Sequence, residues 1–281
     1  MTDGCFPAHD GLDLCWQAWL PAGAAKAVVA VVHGIFEHGG RYGDFGQFLA
    51  AHGYAAYVYD HRGHGRSQGP RAMIWSIDHL VSDLDRFLAF LRSRHAGLPL
   101  FVFGHSMGGQ VTALWAIRAE AGSVDASDVR GIVLSAPAVI VGNKVFPLLR
   151  RLASLFSRLT PRLRLVRMGS RYLSRDPEVV RRFREDPLVF HARFPVRTGA
   201  EALAAAERIE QNMESIHLPL LILHGTGDEV ADAEGSRLLH RRAGTTDKTL
   251  KLYDGLYHEV LSEPERGQVM QDILEWLEQR R

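Results

Sequence analysis

One serine in the chain stands where a serine can become a nucleophile. Gly104-His105-Ser106-Met107-Gly108 reads G-x-S-x-G. A serine on a sharp strand-to-helix turn lifts its hydroxyl above the carboxyl edge of a sheet, and small flanking residues let neighbouring backbone pass close by. The helix that follows aims its free N–H groups at the point where an oxyanion forms. The bare pentapeptide is a weak signal, but its surroundings strengthen it. An apolar run precedes it, and Val111, Leu114, Trp115 and Arg118 follow at helical spacing.

An activated serine needs a base, and the base needs a partner, in the chain order Ser, Asp or Glu, His. His258 follows an apolar run in YDGLYHEV, and Asp228 follows another in HGTGDEV. Both then project from carboxyl ends of strands, where open α/β sheets bind ligands. His258 is expected to take the Ser106 proton, and Asp228 to hold the imidazole in the required tautomer. Glu229, Asp232 and Asp254 are the rivals to Asp228. Oxyanion donors are expected from the backbone N–H of Ile35, in the Gly-containing loop HGIFEH, and of Met107. The two histidines and one glutamate of that hexapeptide have spacing H-x-x-x-E-H, which does not pair ligands on one helical face, so no metal site is expected. DHRGHGRS lacks both Walker and dinucleotide spacing and reads as a loop bracing the active site.

The elements that position these residues are short apolar runs ending at turns. They are Ala27–Val32, Tyr54–Tyr59, and residues 98–103, 131–134, 218–223 and 249–253. Such runs fit strands buried on both faces. Helical patterns alternate with them at Ile77–Arg94 and at residues 109–120, 234–243 and 265–278. The order predicts an α/β fold with a mostly parallel sheet. Phe6, Asp10-Gly11 and residues 12–19 predict an antiparallel hairpin at one edge. The alternation breaks between Val139 and Ala205, where five prolines interrupt a stretch read as helices without strands. The expected organisation is a core of residues 1–138 and 206–281 with a helical cap, 139–205, inserted in it.

The chain has 281 residues, 46% hydrophobic and 23% charged, which excludes disordered and collagen-like classes. No apolar run approaches the roughly 18 residues of a spanning helix, and no secretory leader pattern is seen. A net charge of +1 gives no reason to expect a nucleic-acid partner. Two cysteines, Cys5 and Cys15, are too few for a disulfide framework and are read as buried free thiols. A cytoplasmic protein fits these features. Charge is uneven, however: nine basic and no acidic residues lie between Val139 and Arg175. Taken as a helix, residues 145–159 carry Val145, Leu148, Leu149, Leu152, Leu155, Phe156 and Leu159 on one side and Arg150, Arg151 and Arg158 on the other. Either this is a packed cap helix with a solvated basic face, or its apolar side meets lipid and its arginines meet anionic headgroups.

HGIFEHGGRY, YDHRGHGRSQG, GHSMGG, LILHGTGDEV and LYHEVLSEPER, in this order and spacing, resemble the monoacylglycerol lipases of the α/β-hydrolase superfamily, especially the bacterial ones. The resemblance covers nearly the whole chain and is looser in the insertion. It implies a triad of Ser106, Asp228 and His258, oxyanion donors at Ile35 and Met107, and no cofactor. It also implies hydrolysis of glycerol esters under a helical cap (139–205) that lines an apolar acyl channel. Peripheral contact of that cap with a membrane surface is the second reading of its basic, apolar stretch. Ser262 departs from the asparagine more usual in the family and lies past the histidine, so little effect is expected.

Overall fold

The computed structural model describes residues 1–140, 157–166 and 169–281. Eight strands form one sheet: β1 (Thr2–Pro7), β2 (Asp13–Trp19), β3 (Ala27–Val32), β4 (Tyr54–Tyr59), β5 (Leu100–His105), β6 (Val129–Ser135), β9 (Leu220–Gly225) and β10 (Lys248–Tyr253). Their order is β1-β2-β4-β3-β5-β6-β9-β10. The β1–β2 and β2–β4 pairs are antiparallel and the rest parallel. This is the α/β-hydrolase architecture expected from the sequence.

Both faces of the sheet are covered, which is why its central strands read as continuous apolar runs. In β3, Val28, Ala30 and Val32 face one core and Ala27, Val29 and Val31 the other. The first core packs under α2 (Ile77–Arg94), α3 (Met107–Glu120), α5 (Val196–Asn212) and α6 (Ala233–Arg242). The second packs under α1 (Gly43–Ala51) and α7 (Arg266–Glu278).

Strands β5 and β9 begin two residues later than their apolar runs suggest. Each run opens with a Leu-Pro step, and Pro99 and Pro219 have no N–H to give to a ladder. Helix α3 begins at Met107, two residues early, because Gly108 and Gly109 are tight-packing positions within the helix and not a lead-in. Helix α1 was not expected.

The stretch between β6 and β9 corrects the reading of that region as free of strands. Arg164–Val166 (β7) pairs antiparallel with Phe194–Pro195 (β8), and α4 (Pro177–Glu185) lies between them. The expected boundary at 205/206 falls inside α5. Within that helix Thr198 already bonds the core, accepting from Ile74 N at 3.0 Å and donating to Ala72 O at 2.7 Å. Most of the amphipathic stretch 145–159 lies outside the described residues; 157–159 are helical. The cysteines are also corrected: Cys5 is exposed and Cys15 half-buried, because their hairpin is the sheet edge.

Candidate active site

Ser106 sits between β5 and α3 with φ +52° and ψ −114°, a left-handed backbone that a serine adopts only under constraint. The constraint comes from close packing of the turn. A methyl on Gly104 would lie 2.4 Å from Thr112 Oγ1, and one on Gly108 would lie 2.1 Å from Val32 O. No side chain fits either position without moving backbone.

The turn delivers Ser106 Oγ to 2.9 Å from His258 Nε2, and His258 Nδ1 lies 2.7 Å from Asp228 Oδ2. The carboxylate fixes the ring proton on Nδ1 and leaves the Nε2 lone pair facing the hydroxyl. Asp228 is itself held: its Oδ1 accepts from Val230 N at 2.7 Å and Ala231 N at 3.0 Å. Its Oδ2 also contacts His224 Nε2 at 3.1 Å. Burial opposes the Asp228 charge, but the His258 imidazolium and the two histidine bonds keep its carboxyl well below the usual range. Burial likewise pulls His258 down, and the Asp228 charge, with Glu259 and Glu37 behind it, lifts it above the ordinary imidazole value.

The rivals to Asp228 lie elsewhere. Asp232 caps α6 through Glu234 N at 2.9 Å, Glu229 is exposed, and Asp254 accepts from Thr226 Oγ1 at 3.0 Å.

The loop after β3 lies against the serine: a methyl on Gly34 would stand 3.3 Å from Ser106 Cβ. The amides of Ile35 and Met107 make no hydrogen bond among the described residues, and Met107 is the first residue of its helix. Ile35 lines the same small space as Ser106, and Met107 follows Ser106 directly. The loop is braced by the segment after β4. His61 N donates to His33 Nε2 at 2.9 Å, and Asp60 Oδ1 accepts from Gly39 N at 2.6 Å.

Sequence reading missed the group that shapes this loop. Glu37 is buried; its Oε1 accepts from Gly34 N at 2.6 Å and Tyr42 Oη at 2.8 Å. Its Oε2 accepts from Arg41 Nη1 at 2.6 Å, and Arg41 makes a two-point bond to Glu259 at 2.8 and 2.7 Å. Glu259 is the neighbour of His258, so one guanidinium ties the donor loop to the base. Burial disfavours the Glu37 charge, yet Arg41 and then His105 and His33 hold its carboxyl down at about 2. The spacing Glu37-x-x-x-Arg41 is the local signal of this pair. The histidines are otherwise engaged: His38 Nε2 meets Asp186 Oδ2 at 2.8 Å and His33 Nδ1 meets Gly34 O at 2.7 Å. No group of three or more ligand side chains that could hold a metal occurs among the described residues.

The network has a measurable consequence. Glu37→Gln removes a negative charge near His258 and loosens the Gly34 turn while leaving Arg41 its bond to Glu259. Loss of one oxyanion donor costs about 10²–10³ in turnover; a loosened donor is expected to cost about tenfold. The acid limb of kcat/KM against pH reports protonation of His258. In the parent, activity falls as pH drops through a midpoint above the ordinary imidazole value, because only neutral His258 accepts a proton. In Glu37→Gln that midpoint moves lower. A rate loss with an unmoved midpoint would leave Glu37 a purely structural role.

Described residues between β6 and β9 lie against the site. Glu259 N donates to Leu173 O at 2.8 Å, and Phe190 N donates to Phe36 O at 2.9 Å. Ser174 Oγ donates to the backbone oxygen of Ser262 at 3.1 Å, a contact any residue at 262 could accept. Leu173 and Phe183, with Gly34 and Ile35, line a small space beside Ser106 and His258. Beyond Glu37 and Arg41 opens a cleft of about 370 Å³ lined by charged side chains, among them Glu178, Arg182 and Asp186.

A family model described as serine aminopeptidase, S33, matches residues 23–265. A monoacylglycerol lipase of Mycolicibacterium smegmatis is 34% identical over 98% of this chain and 96% of its own length. The monoglyceride lipase of Homo sapiens is 33% identical over 96% of this chain and 88% of its own. The crystal structure of a monoacylglycerol lipase from Paleococcus ferrophilus superposes with a TM-score of 0.84 at 33% identity, covering 95% of this chain and 99% of that one. The chain belongs to the monoacylglycerol lipase family of the α/β-hydrolase superfamily.

Proposed function

We propose that this protein hydrolyses monoacylglycerols to fatty acid and glycerol through an acyl-enzyme on Ser106. The observation that carries the reading is the bonded chain Ser106–His258–Asp228. Ser106 Oγ attacks the ester carbonyl carbon as His258 Nε2 takes its proton. The amides of Ile35 and Met107 receive the oxyanion, and His258 returns the proton to the departing glycerol oxygen. Water then repeats the sequence in reverse and frees the acid. A serine favours this acyl transfer chemistry.

Residues 139–205 are assigned as the cap, with α5 as the element it shares with the core. Leu173 and Phe183 line the space beside Ser106, where the acyl chain of a substrate would pass. The charged cleft beside Arg41 suits a hydroxylated leaving group better than a hydrocarbon.

The test is a panel of monoacylglycerols, di- and triacylglycerols, lysophospholipids, short-chain esters and aminoacyl anilides. The highest kcat/KM is expected on monoacylglycerols. Preference for lysophospholipid or for short-chain ester would replace the substrate assignment, and preference for an anilide would favour the peptidase reading that the family description carries.

A substrate that resides in a bilayer also requires a route to it. Among the described residues no helix is long and apolar enough to cross a membrane. The cap presents Leu159, Leu163 and Leu165, 71%, 45% and 54% exposed, interleaved with exposed Arg158, Arg162 and Arg164. This surface supports peripheral docking on anionic lipid. Each arginine at such a surface contributes about 1 kcal/mol, so changing all three to glutamine is expected to lower vesicle binding by roughly a hundredfold at low salt. Hydrolysis of a soluble short-chain ester should stay nearly unchanged. Unchanged binding to anionic vesicles would reduce this face to a solvated surface.

A further inference from the structure

The edge hairpin sets Cys5 directly opposite Cys15. The orientation of the pair follows from the bonds of Cys15. Its amide donates to Ser67 Oγ at 2.8 Å, and its carbonyl accepts from Asp60 N at 2.8 Å. Both partners lie on the side away from β1. A residue whose N–H and C=O turn away from the neighbouring strand forms a non-hydrogen-bonded pair with it, with Cα atoms about 4.5 Å apart and side chains at their closest. That spacing lies inside the range of about 4.4–6.8 Å that a disulfide spans. Opposite residues also share one face of the sheet, so the two thiols point the same way.

We propose that Cys5 and Cys15 are a dithiol modification site, closed to an intramolecular disulfide by small disulfides of the oxidised-glutathione class. Both are free thiols in this structure. Cys5 is exposed on the outermost strand and is the point of attack. Its thiolate displaces one small thiolate and forms a mixed disulfide. The released thiolate takes a proton from water, and Cys15, whose Sγ rests 3.4 Å from Arg66 O, loses its own to solvent. Its sulfur displaces the second small thiol from Cys5. One disulfide is broken and one formed, and two small thiols leave. Burial, and then the adjacent Cys5, raise the Cys15 thiol to about 12, so it is the weaker first attacker; in the second step its place opposite Cys5 offsets the small thiolate fraction.

The bond would staple a strand that is paired on one side only. Ser106, His258 and Asp228 lie on other loops, so the staple is expected to change stability and not turnover.

The experiment treats the folded, reduced protein with oxidised glutathione and reads the result by peptide mass. The chain has two cysteines and no Lys or Arg before Lys26, so both thiols fall in one tryptic peptide. The expected product is that peptide short of two hydrogens, with no bound glutathione. Cys15→Ser should instead accumulate glutathione on Cys5. The oxidised parent should unfold a few degrees higher than the reduced form, as closing a short loop predicts. Cys5→Ser should show no such rise. Phenylarsine oxide, which bridges two adjacent thiols, should bind the untreated parent one to one and be lost in either variant. Glutathione retained on both cysteines, a disulfide between two chains, or no reaction would each overturn the proposal.

Discussion

Ser106→Ala is expected to leave the protein folded and to lower ester hydrolysis by on the order of 10⁶ in turnover, the usual cost of removing a triad nucleophile. The fold should tolerate the change. Ser106 Oγ bonds His258 at 2.9 Å, while the turn is held by backbone, Ser106 N donating to Ser135 O at 3.0 Å. Alanine keeps those backbone bonds and adds no atom to the packing around Gly104 and Gly108. Activity on a monoacylglycerol, with circular dichroism of the same preparation, checks both halves. More than a few per cent of parent activity in a clean preparation would remove Ser106 from the reaction.

The second large effect belongs to Asp228→Asn, with a loss of roughly 10⁴. The surroundings of Asp228 dictate how an asparagine would sit. Oδ1 is taken by two backbone donors, the amides of Val230 and Ala231. The asparagine oxygen must stay there, which turns its NH₂ toward His258 Nδ1 and His224 Nε2. His258 then accepts at Nδ1 and carries its proton on Nε2, where it can no longer receive one from Ser106. Asp254→Asn should change little, since that side chain bonds Thr226 on the surface. Asp232→Asn should chiefly touch the α6 cap it provides, where asparagine caps about as well as aspartate. If Asp232→Asn proved the most damaging of the three, the loop after β9 would have been assigned to the wrong carboxylate.

The parallel core was legible because burial on both faces forces continuous apolar runs, and turn residues mark their ends. The same logic singled out Ser106, Asp228 and His258, which the structure brings into one bonded chain: each follows such a run, and strand ends converge at one edge. Helix α1 was not legible. It is nine residues long and holds Gly43 and Gly46; a methyl on Gly46 would press to 2.2 Å from the Trp19 ring. Gly46 serves packing against a residue 27 positions earlier, which no local pattern reports. The β7–β8 ribbon joins segments of three and two residues, too short for a period to appear. The Glu37–Arg41–Glu259 tie joins residues 218 positions apart, and only the folded chain brings its ends together.

The most direct measurement is the site of covalent capture by a fluorophosphonate. Such a probe reacts with a serine only when a base has activated it and an oxyanion site can hold the product. One equivalent is expected to attach to the peptide bearing Ser106, in step with loss of hydrolysis, and to be slowed by competing monoacylglycerol. The label should be absent in Ser106→Ala. Attachment at another residue in step with inactivation, or full hydrolysis by protein labelled at Ser106, would contradict the account.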